Sequence, residues 1–503
     1  MTIVVLGGAA MVGFYFLAPA LTERSQIVTS DAGREKGSLA IGMDNFVGYF
    51  PLCSPEMKKR MLAEGYLLKC VDDNASYGQR MEDLKSGKLN FAVGTVDSLI
   101  LTGARHNFPG TIIAVLDESK GVDAIVARES EVNNLDSLKL KTDVKIAVTP
   151  DSPSSHLLKA VGVHFGIPAL LDRNGGWRQD AAGSAEALRL LQEGQVSVAV
   201  LWEPDVSRAL SEQGLKKILG TEQTSRLIVD ILMVNRRFSE DNPEAVELLL
   251  SCYFRTLKQY MDNQGDMATQ MAAYAKITQP QAEAMLKGIG WVNLHDNATE
   301  WMGAPSYGLF DTIEATTRIL IDYGDFSSSP LPDADPRRIT YSAPLIKVYR
   351  QGLAGRFDGG AAKTNSLAKF PELSDQEWSK LRDVGTLKAR PIQFLRGSAR
   401  LSLEGKEQLD MAAEALKSYP NFRIKVEGHT NPRGDAEVNK ALSRQRAEAV
   451  IQYLKVTYNI DPVRLRAAGV GSDRPLEKTP DESQREYYER LSRVELHLMA
   501  EVY

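Results

Sequence analysis

A group of hydroxyl side chains after an apolar run has the composition of an anion-binding turn. Residues 144–148 have the pattern of a buried strand, and residues 149–156, Thr-Pro-Asp-Ser-Pro-Ser-Ser-His, lead into a helical pattern. The start of a helix leaves N–H groups unpaired and carries partial positive charge, and serine hydroxyls add donors. Ordinary helix capping by the same serines is an equal alternative. The predicted donors are Ser152, Ser154 and Ser155.

Polar and aromatic residues also follow three other predicted strands. In open α/β sheets, ligands bind outside the carboxyl ends of the strands, so these residues would face one site. A Trp beside a Glu suits the wall of such a site, although Trp202 could equally pack in a core. The segments at these strand ends are residues 44–50, 94–98 and 201–205.

The last part of the chain carries a more specific motif. Residues 427–434 read Glu-Gly-His-Thr-Asn-Pro-Arg-Gly, and Asn-x-x-Leu-Ser-x-x-Arg-Ala follows at 439–447. The pattern resembles the OmpA-like peptidoglycan-binding domain over residues 385–503. The resemblance implies a zwitterionic ligand, the diaminopimelate of the wall peptide. An acid at the position of Asn431 would take the amine, and Arg446 would pair with the carboxylate in a bidentate contact.

This C-terminal motif departs from the family pattern in its charges. Asn431 is neutral where the family has Asp, and Leu-Ser-Arg at 491–493 replaces Asn-Arg-Arg. Asp435 could supply the missing acid, and a structural domain without wall binding is the alternative. The predicted peptidoglycan-binding residues are Thr430, Asn431, Asp435, Asn439, Arg446 and Arg493.

Enzyme signatures are absent from the sequence. It contains no His-Glu-x-x-His, no Gly-x-Ser-x-Gly and no Walker A string, and its histidines lack metal-ligand spacing. Ser366-x-x-Lys369 matches a nucleophile string but follows a glycine-rich linker without partner motifs. We therefore expect no enzyme activity, no catalytic residues, no metal and no cofactor.

Composition indicates a protein of several soluble domains. The chain has 503 residues, of which 25% are charged and 43% hydrophobic, with a net charge of −5. The acidic balance argues against a nucleic-acid partner. With only three cysteines there is no disulfide scaffold; Cys53 and Cys70 are the pair best placed to bond, but lone buried thiols are the more ordinary expectation.

The first residues form an uncharged apolar segment. Residues 3–21 are just long enough to span a bilayer. We predict an uncleaved inner-membrane anchor, with a cleaved signal peptide ending in Ala-Pro-Ala as the alternative. The remainder would lie in the periplasm of a bacterial cell envelope. Ala9 and Gly13 have the spacing of a helix-pairing motif, which allows a homodimer.

Alternating strand and helix patterns predict an α/β protein with largely parallel sheets. The predicted parts are a transmembrane segment at 1–21, a stalk at 22–37, a two-lobed domain at 38–345, a linker at 346–384 and a βαβαββ domain at 385–503. In the last part, strands are expected at 392–394, 423–427, 465–469 and 494–499. A capping box at Ser374 and Glu377 predicts a short helix ahead of them.

The two-lobed part resembles the periplasmic solute-binding proteins of ABC transporters, in the branch of nitrate, sulfonate, taurine and thiamine-precursor binders. The matching pieces include Gly-Tyr-Phe-Pro at 48–51, Trp-Glu-Pro-Asp at 202–205 and Asp-Ile-Leu-Met-Val at 230–234. The resemblance implies two lobes that close on a solute, with hinge strands near 122–126 and 230–234. It also implies a ligand cleft lined by Asn45, Tyr49, Thr95, Ser152, Ser154, Ser155, Trp202 and Glu203.

Together these patterns predict a membrane-anchored periplasmic protein that binds a small solute and contacts peptidoglycan. A membrane permease would then be a partner. The alternative is a single-span, wall-anchored subunit of an ion-driven stator complex, with the two-lobed domain as a structural or sensory module. Stator subunits commonly carry an acid within the span, and residues 3–21 contain none.

Overall fold

The computed structural model describes residues 36–141, 143–173, 175–303, 308–353, 370–388, 391–395 and 397–501. The predicted anchor at 1–21 and the stalk up to residue 35 lie outside these residues, as does much of the predicted linker. Within the described ranges, no helix combines the length and the apolar character needed to cross a membrane.

Six strands form the sheet of the first lobe: β1 Gly37–Met43, β2 Tyr66–Asp72, β3 Phe91–Thr95, β4 Gly110–Ser119, β10 Val229–Asn235 and β11 Ile289–Trp291. Their order across the sheet is β11-β4-β10-β3-β1-β2. Strands β3, β4 and β10 are buried along their whole lengths, which is typical of strands covered by helices on both faces.

Helices from two separate stretches of the chain cover this sheet. Residues 243–323 are mostly helical and belong to this lobe. The helices are α1 Phe50–Cys53, α2 Pro55–Ala63, α3 Tyr77–Ser86, α4 Val96–Arg105, α10 Arg236–Asp241, α11 Pro243–Asp262, α12 Gln264–Ala275, α13 Gln279–Lys287, α14 Leu294–Asp296, α15 Gly308–Tyr323 and α16 Ala343–Leu353. Shorter turns lie at Val47–Tyr49, Asn297–Trp301, Pro332–Ala334 and Pro336–Ile339.

The second lobe is inserted between β4 and β10. Its strands are β5 Asp123–Arg128, β6 Ile146–Val148, β7 Arg178–Asp180, β8 Val198–Trp202 and β9 Leu215–Gly220, in the order β7-β6-β8-β5-β9. Its helices are α5 Ser137–Leu140, α6 Pro153–Phe165, α7 Pro168–Leu171, α8 Ser184–Gln192 and α9 Asp205–Leu210, with a short turn at Thr221–Gln223. Helix α6 starts at a capping Ser152 followed by proline and ends at Gly166, whose φ of 62° suits glycine.

The prediction of largely parallel sheets is only partly right. Strand β10 runs antiparallel to β3 and β4, and β5 runs antiparallel to β8 and β9. Both are the first strands after the chain has crossed from the other lobe. Each therefore enters its sheet in the direction opposite to its neighbours.

The C-terminal domain is a four-stranded sheet with helices. Its elements are α17 Asp375–Lys380, β12 Arg382–Leu387, α18 Leu403–Lys417, β13 Arg423–His429, α19 Ala436–Tyr458, a short turn at Pro462–Arg464, β14 Leu465–Gly471, α20 Gln484–Leu491 and β15 Val494–Ala500. The strand order is β12-β15-β13-β14. The capping box at Ser374 and its short helix are confirmed.

Two details of the predicted βαβαββ order are wrong. The first strand is β12, half of which lies in the segment predicted as linker, whereas residues 392–394 contribute only a single bridge from Phe394 to Leu401. Helix α20 separates the last two strands. β12 pairs with β15 along its length, so tertiary pairing rather than local propensity decides its position.

The C-terminal domain packs directly against the second lobe. Their buried side chains form one continuous apolar cluster, in which Phe165 of α6 meets Tyr419 with ring centroids 5.6 Å apart. The backbone also bonds across, from Leu135 N to Val384 O at 3.0 Å and from Lys388 N to His164 O at 2.7 Å. The domain and the lobe are therefore held as one packed unit.

Cys53 and Cys70 form a disulfide, with their Cα atoms 6.2 Å apart, while Cys252 is free and buried. The expectation of lone thiols is therefore wrong for this pair. Cys53 ends α1 and Cys70 lies on β2, so the bond ties the turn after β1 to the edge strand of the first lobe. A disulfide is typical of an oxidising compartment.

Candidate functional site

The chain crosses between the two lobes at two connections. Residues 120–122 join β4 to β5, and residues 221–228 join β9 to β10. The predicted hinge segments near 122–126 and 230–234 begin at the ends of these crossings. The strand ends of both lobes meet there, which is where a ligand between the lobes would lie.

Acidic side chains gather at this boundary. Asp117, near the end of β4, is directly opposite Asp230 of β10, and Asp123 starts β5 after the crossing. Together with two further acids near the boundary they form a group that we call the cleft acids: Asp97, Asp117, Asp123, Glu203 and Asp230. All five side chains are buried, with exposed fractions between 0% and 7%.

The cleft acids differ in how well the fold satisfies them. Tyr49 donates its hydroxyl proton to Asp230, Ser119 Oγ donates to Asp123 at 2.6 Å, and Ser207 donates to Glu203 through its backbone N–H and its hydroxyl. Neither carboxylate oxygen of Asp117 has a hydrogen-bond partner among the described residues. The hydroxyl of Tyr253, on α11, also lacks one there.

Burial raises the pKa of every cleft acid. Loss of hydration, reinforced by neighbouring carboxylates, raises the pKa values of Asp117 and Asp230 well above the usual range. Burial raises the pKa of Asp97 to about 6 and that of Asp123 to about 7. It raises the pKa of Glu203 as well. The site therefore favours protons or other positive charge.

Asp44, an acid in the first lobe, has its negative charge balanced by a buried arginine. Arg80 is fully buried and donates to Asp44 at 3.0 Å and to Asp73 at 2.6 Å. It also donates to the carbonyl of Val93 at 2.9 Å. Asp44 is thus paired with the guanidinium of Arg80. None of the cleft acids has a basic partner of this kind among the described residues.

The structure places the predicted ligand-binding residues differently. Tyr49 reaches Asp230, Thr95 is opposite Asp230 on β3, and Glu203 is itself a cleft acid. Trp202 is opposite Asp123 and is buried, in keeping with the core-packing alternative. Asn45 is exposed.

Two of the predicted serine donors, Ser152 and Ser154, have their hydroxyls engaged within the fold. Ser152 donates to the carbonyl of Thr149 at 2.6 Å and accepts from Ser155 N at 3.4 Å, as a helix cap does. Ser154 donates to the carbonyl of Val200 at 3.2 Å. These hydrogen bonds agree with the capping alternative, and anion binding at this turn stays a prediction.

Sequence reasoning missed four of the cleft acids, namely Asp97, Asp117, Asp123 and Asp230. Each stands next to apolar residues at a strand end, and aspartate is rarely buried without a partner. An acid inside an otherwise apolar run was the available signal.

In the C-terminal domain, the predicted wall-contact residues form a turn and one helix face. Asn431 Oδ1 accepts from Arg433 N at 3.0 Å, and Asn439 donates to the carbonyl of Arg433 at 3.0 Å. Asp435 caps α19 by accepting from Val438 N at 3.0 Å. Thr430 is buried at the end of β13.

Arg446 lies two turns beyond Asn439 on α19, so the two share a face. Its Nε donates to the carbonyl of Ser398 at 3.3 Å, and its guanidinium lies 5.1 Å from the centre of the Phe394 ring. Burial lowers its pKa, and no described carboxylate lies within ion-pair distance. Arg493, by contrast, is paired with Glu495 at 2.7 Å.

Comparison with known proteins identifies the C-terminal domain. The sequence profile of the OmpA family matches residues 393–489. The peptidoglycan-associated lipoprotein of Pseudomonas aeruginosa is 35% identical over 133 residues, which are 26% of this chain and 74% of that protein. The chain is therefore a two-lobed α/β protein with a C-terminal OmpA domain. Through that domain the chain belongs to the OmpA family.

Solved structures resemble the chain in fold. The periplasmic aliphatic sulphonate-binding protein SsuA from Escherichia coli is 16% identical and covers 61% of this chain and 97% of its own, with a TM-score of 0.47. The desulfurization enzyme DSZB is 10% identical and covers 63% and 100%, with a TM-score of 0.45. These neighbours include a periplasmic solute-binding protein and an enzyme. The expected lack of enzyme activity stays a prediction.

Proposed function

We propose that the protein is a cell-envelope component that binds a small solute between its lobes and holds peptidoglycan through its OmpA domain. One observation supports both halves. Each region holds a buried or half-buried charged group that the described fold leaves without counter-charge. These groups are Asp117 at the lobe boundary and Arg446 on α19. Unpaired charge is costly, and a ligand of opposite charge relieves the cost.

The wall half also draws on the relatives. The peptidoglycan-associated lipoprotein is named for the association that we propose here for residues 385–503. Arg446 is half-buried and stacked on Phe394, so its guanidinium is held in place before a carboxylate arrives. Such preorganisation lowers the entropy lost on binding.

Anchoring in the inner membrane through residues 3–21 is part of the proposal. An anchor would place the solute-binding lobes and the wall-binding domain together between membrane and wall. Retention of the chain in alkaline-washed membranes, with the N-terminal peptide present, would support it. Release into the soluble fraction with that peptide missing would favour the signal-peptide alternative.

Co-sedimentation of the full chain with purified peptidoglycan sacculi tests the wall half. We expect the wild type to pellet and Arg446→Ala to lose at least about tenfold in affinity, since hydrogen bonds to charged groups contribute about 1.5 to 3 kcal/mol. Arg444→Ala is the control, because Arg444 is exposed on the same helix and pairs with Glu448 at 3.1 Å. Equal binding by the two variants would contradict the assignment.

Native mass spectrometry of the protein from its own cells tests the solute half without assuming a ligand class. A small molecule that dissociates from the intact protein on activation is the expected result. A protein whose mass equals that of the chain alone, together with no shift of its melting temperature by any solute, would remove the solute half.

A further inference from the structure

We propose that the solute between the lobes is an organic cation with an ammonium or guanidinium group, and that Asp117, Asp123 and Asp230 receive it. This inference rests on the proposed solute-binding function and specifies its ligand. It departs from the anion-binding site that the serine turn suggested.

The cleft acids belong to both lobes, so a ligand that they hold would bridge them. Asp117 and Asp230 face each other on neighbouring strands of the first lobe. Asp123 begins the first strand of the second lobe, and the electrostatic neighbours that raise its pKa include Asp97 and Glu203. A cation placed among them would draw the lobes together, as ligand-driven closure requires.

Nearby basic side chains are engaged with other acids. Lys120 pairs with Glu118 at 2.6 Å, Lys159 with Asp325 at 2.7 Å and Lys217 with Glu222 at 2.6 Å. Arg80 is committed to Asp44 and Asp73. None of these four basic side chains is therefore free to balance the cleft acids, which leaves protons or a bound cation to do so.

Asp117 and Tyr253 supply an observation independent of the acidic cluster. Asp117 is 0% exposed and Tyr253 is 1% exposed. Among the residues that the structure describes, neither carboxylate oxygen of Asp117 nor the hydroxyl of Tyr253 has a hydrogen-bond partner. The carboxylates of Asp117 and Asp230 act electrostatically on the Tyr253 hydroxyl, so these groups are close together. An ammonium has three donors and no acceptor, which suits carboxylate oxygens that have no donor.

The arrangement favours an organic cation over a metal ion. Among the described residues, three potential metal ligands come within 4.8 Å of one another at Asp136, Asp383 and His497 and at Glu427, His429 and Glu495. The cleft acids form no such group and are distributed over several strand ends. That spacing suits a molecule of several atoms, and an anion there would meet like charge in a poorly solvated site.

Calorimetric titration of the full chain at constant ionic strength tests the inference. The probes are 1,4-diaminobutane and arginine as cations, ethanesulfonate and nitrate as anions, and calcium and zinc as metal ions. We expect a cationic probe to bind and the anions not to bind. Asp117→Asn keeps the shape of the side chain and should weaken cation binding about tenfold or more.

Asp241→Asn is the matched control, because Asp241 is an exposed acid of the same lobe. It should leave cation binding unchanged. If Asp117→Asn does not fold, Asp123→Asn takes its place, and the choice of the wild type between cations and anions decides independently of either variant.

Each outcome separates the inference from the proposed function. Binding of an anion or a metal ion alone would overturn the organic cation while leaving a solute-binding protein. If no probe binds, the co-purified molecule decides: an amine or guanidine supports the inference, and an acid overturns it. If there is also no co-purified molecule, both the inference and the solute half fail.

Discussion

The lobe boundary can be compared with the α19 face of the OmpA domain that carries Asn439 and Arg446, its proposed wall-binding face. Among the described residues, each region leaves ionisable groups without a partner of opposite charge, but the groups are acidic and buried in the first and basic and half-buried in the second. At the boundary, carboxylates with exposed fractions of at most 7% crowd together. On the OmpA domain a single guanidinium stays half-buried, stacked on Phe394. Depth decides what an unpaired charge costs, because water still screens the shallow one. We therefore expect the boundary to depend on its ligand for stability and the wall-binding face to depend little on it.

The largest expected effect is the response of the unliganded boundary to pH. The pKa of Asp123 is raised from 3.8 to about 7 in the fold, so its protonated form is favoured there. Its stabilising contribution is complete below about pH 4 and is lost as the pH rises through about 7. Three pKa units correspond to roughly 4 kcal/mol. Scanning calorimetry of the ligand-free protein should show a lobe transition that falls in temperature from pH 4 to pH 7.

Asp123→Asn should flatten that fall, because Asn can still accept from Ser119 and does not titrate. Asp241→Asn is again the control and should keep the wild-type slope. A wild-type transition that rises over this range, or a variant with an unchanged slope, would contradict the assignment of this pH dependence to Asp123.

The OmpA domain should lose stability at higher pH, through His497. Burial alone would lower the pKa of His497, but Asp383 at 2.9 Å and Glu495 at 3.3 Å raise it to about 9. This contribution is present below pH 6.5 and is lost as the pH rises through about 9, roughly 3 kcal/mol in all. The calorimetric transition of the OmpA domain should therefore fall in temperature between pH 6.5 and 9.5.

His497→Gln should remove the pH dependence of the OmpA transition, and it should lower that transition most at pH 6. Substituting the half-buried His106 with Gln changes the same chemical group in the first lobe and should alter neither slope. An OmpA transition that is independent of pH in the wild type would mean that the acids around His497 do not hold its proton.

These two regions also differ in how far sequence predicted them. Arg446 and Asn431 could be predicted because the OmpA motif fixes their spacing within one short segment. Asp117 and Asp230 meet only because β4 and β10 pair, more than 100 residues apart. No local pattern carries that register, and an aspartate next to a strand end reads as an ordinary turn residue.

The serine turn at residues 149–156 also shows that a local sequence pattern does not determine contacts with distant strands. Its local pattern is identical for a helix cap and for an anion site, so the sequence left the two alternatives equal. The carbonyl of Val200, on a strand 46 residues away, engages Ser154. Strand β12 was missed likewise, because its pairing with β15 comes from the far end of the domain.

The smallest expected effect is that of Asn431→Asp on binding to sacculi. This substitution would add a negative charge to the wall-binding face beside the positive charge of Arg446. Asn431 can offer only a neutral oxygen to an ammonium, and charge-assisted hydrogen bonds are roughly twice as strong as neutral ones. Asn431→Asp should therefore tighten binding to sacculi by about 1 to 2 kcal/mol. The turn should survive, because an aspartate oxygen can accept from Arg433 N as Asn431 does. Asn459→Asp makes the same chemical change at the exposed end of α19 and should leave binding unchanged.

Asp435 decides whether that gain is available. Its carboxylate caps α19 through Val438 N, and its side chain is exposed beside the turn, so it could already serve the ammonium. Asp435→Asn preserves the cap and removes the charge, which Asp435→Ala would not. If Asp435→Asn weakens sacculus binding while Asn431→Asp adds nothing, Asp435 has replaced the family aspartate. If Asn431→Asp tightens binding and Asp435→Asn is neutral, the wall-binding face holds its ligand by the carboxylate alone. The wall-binding face would then offer its ligand positive charge only, whereas the lobe boundary offers negative charge only.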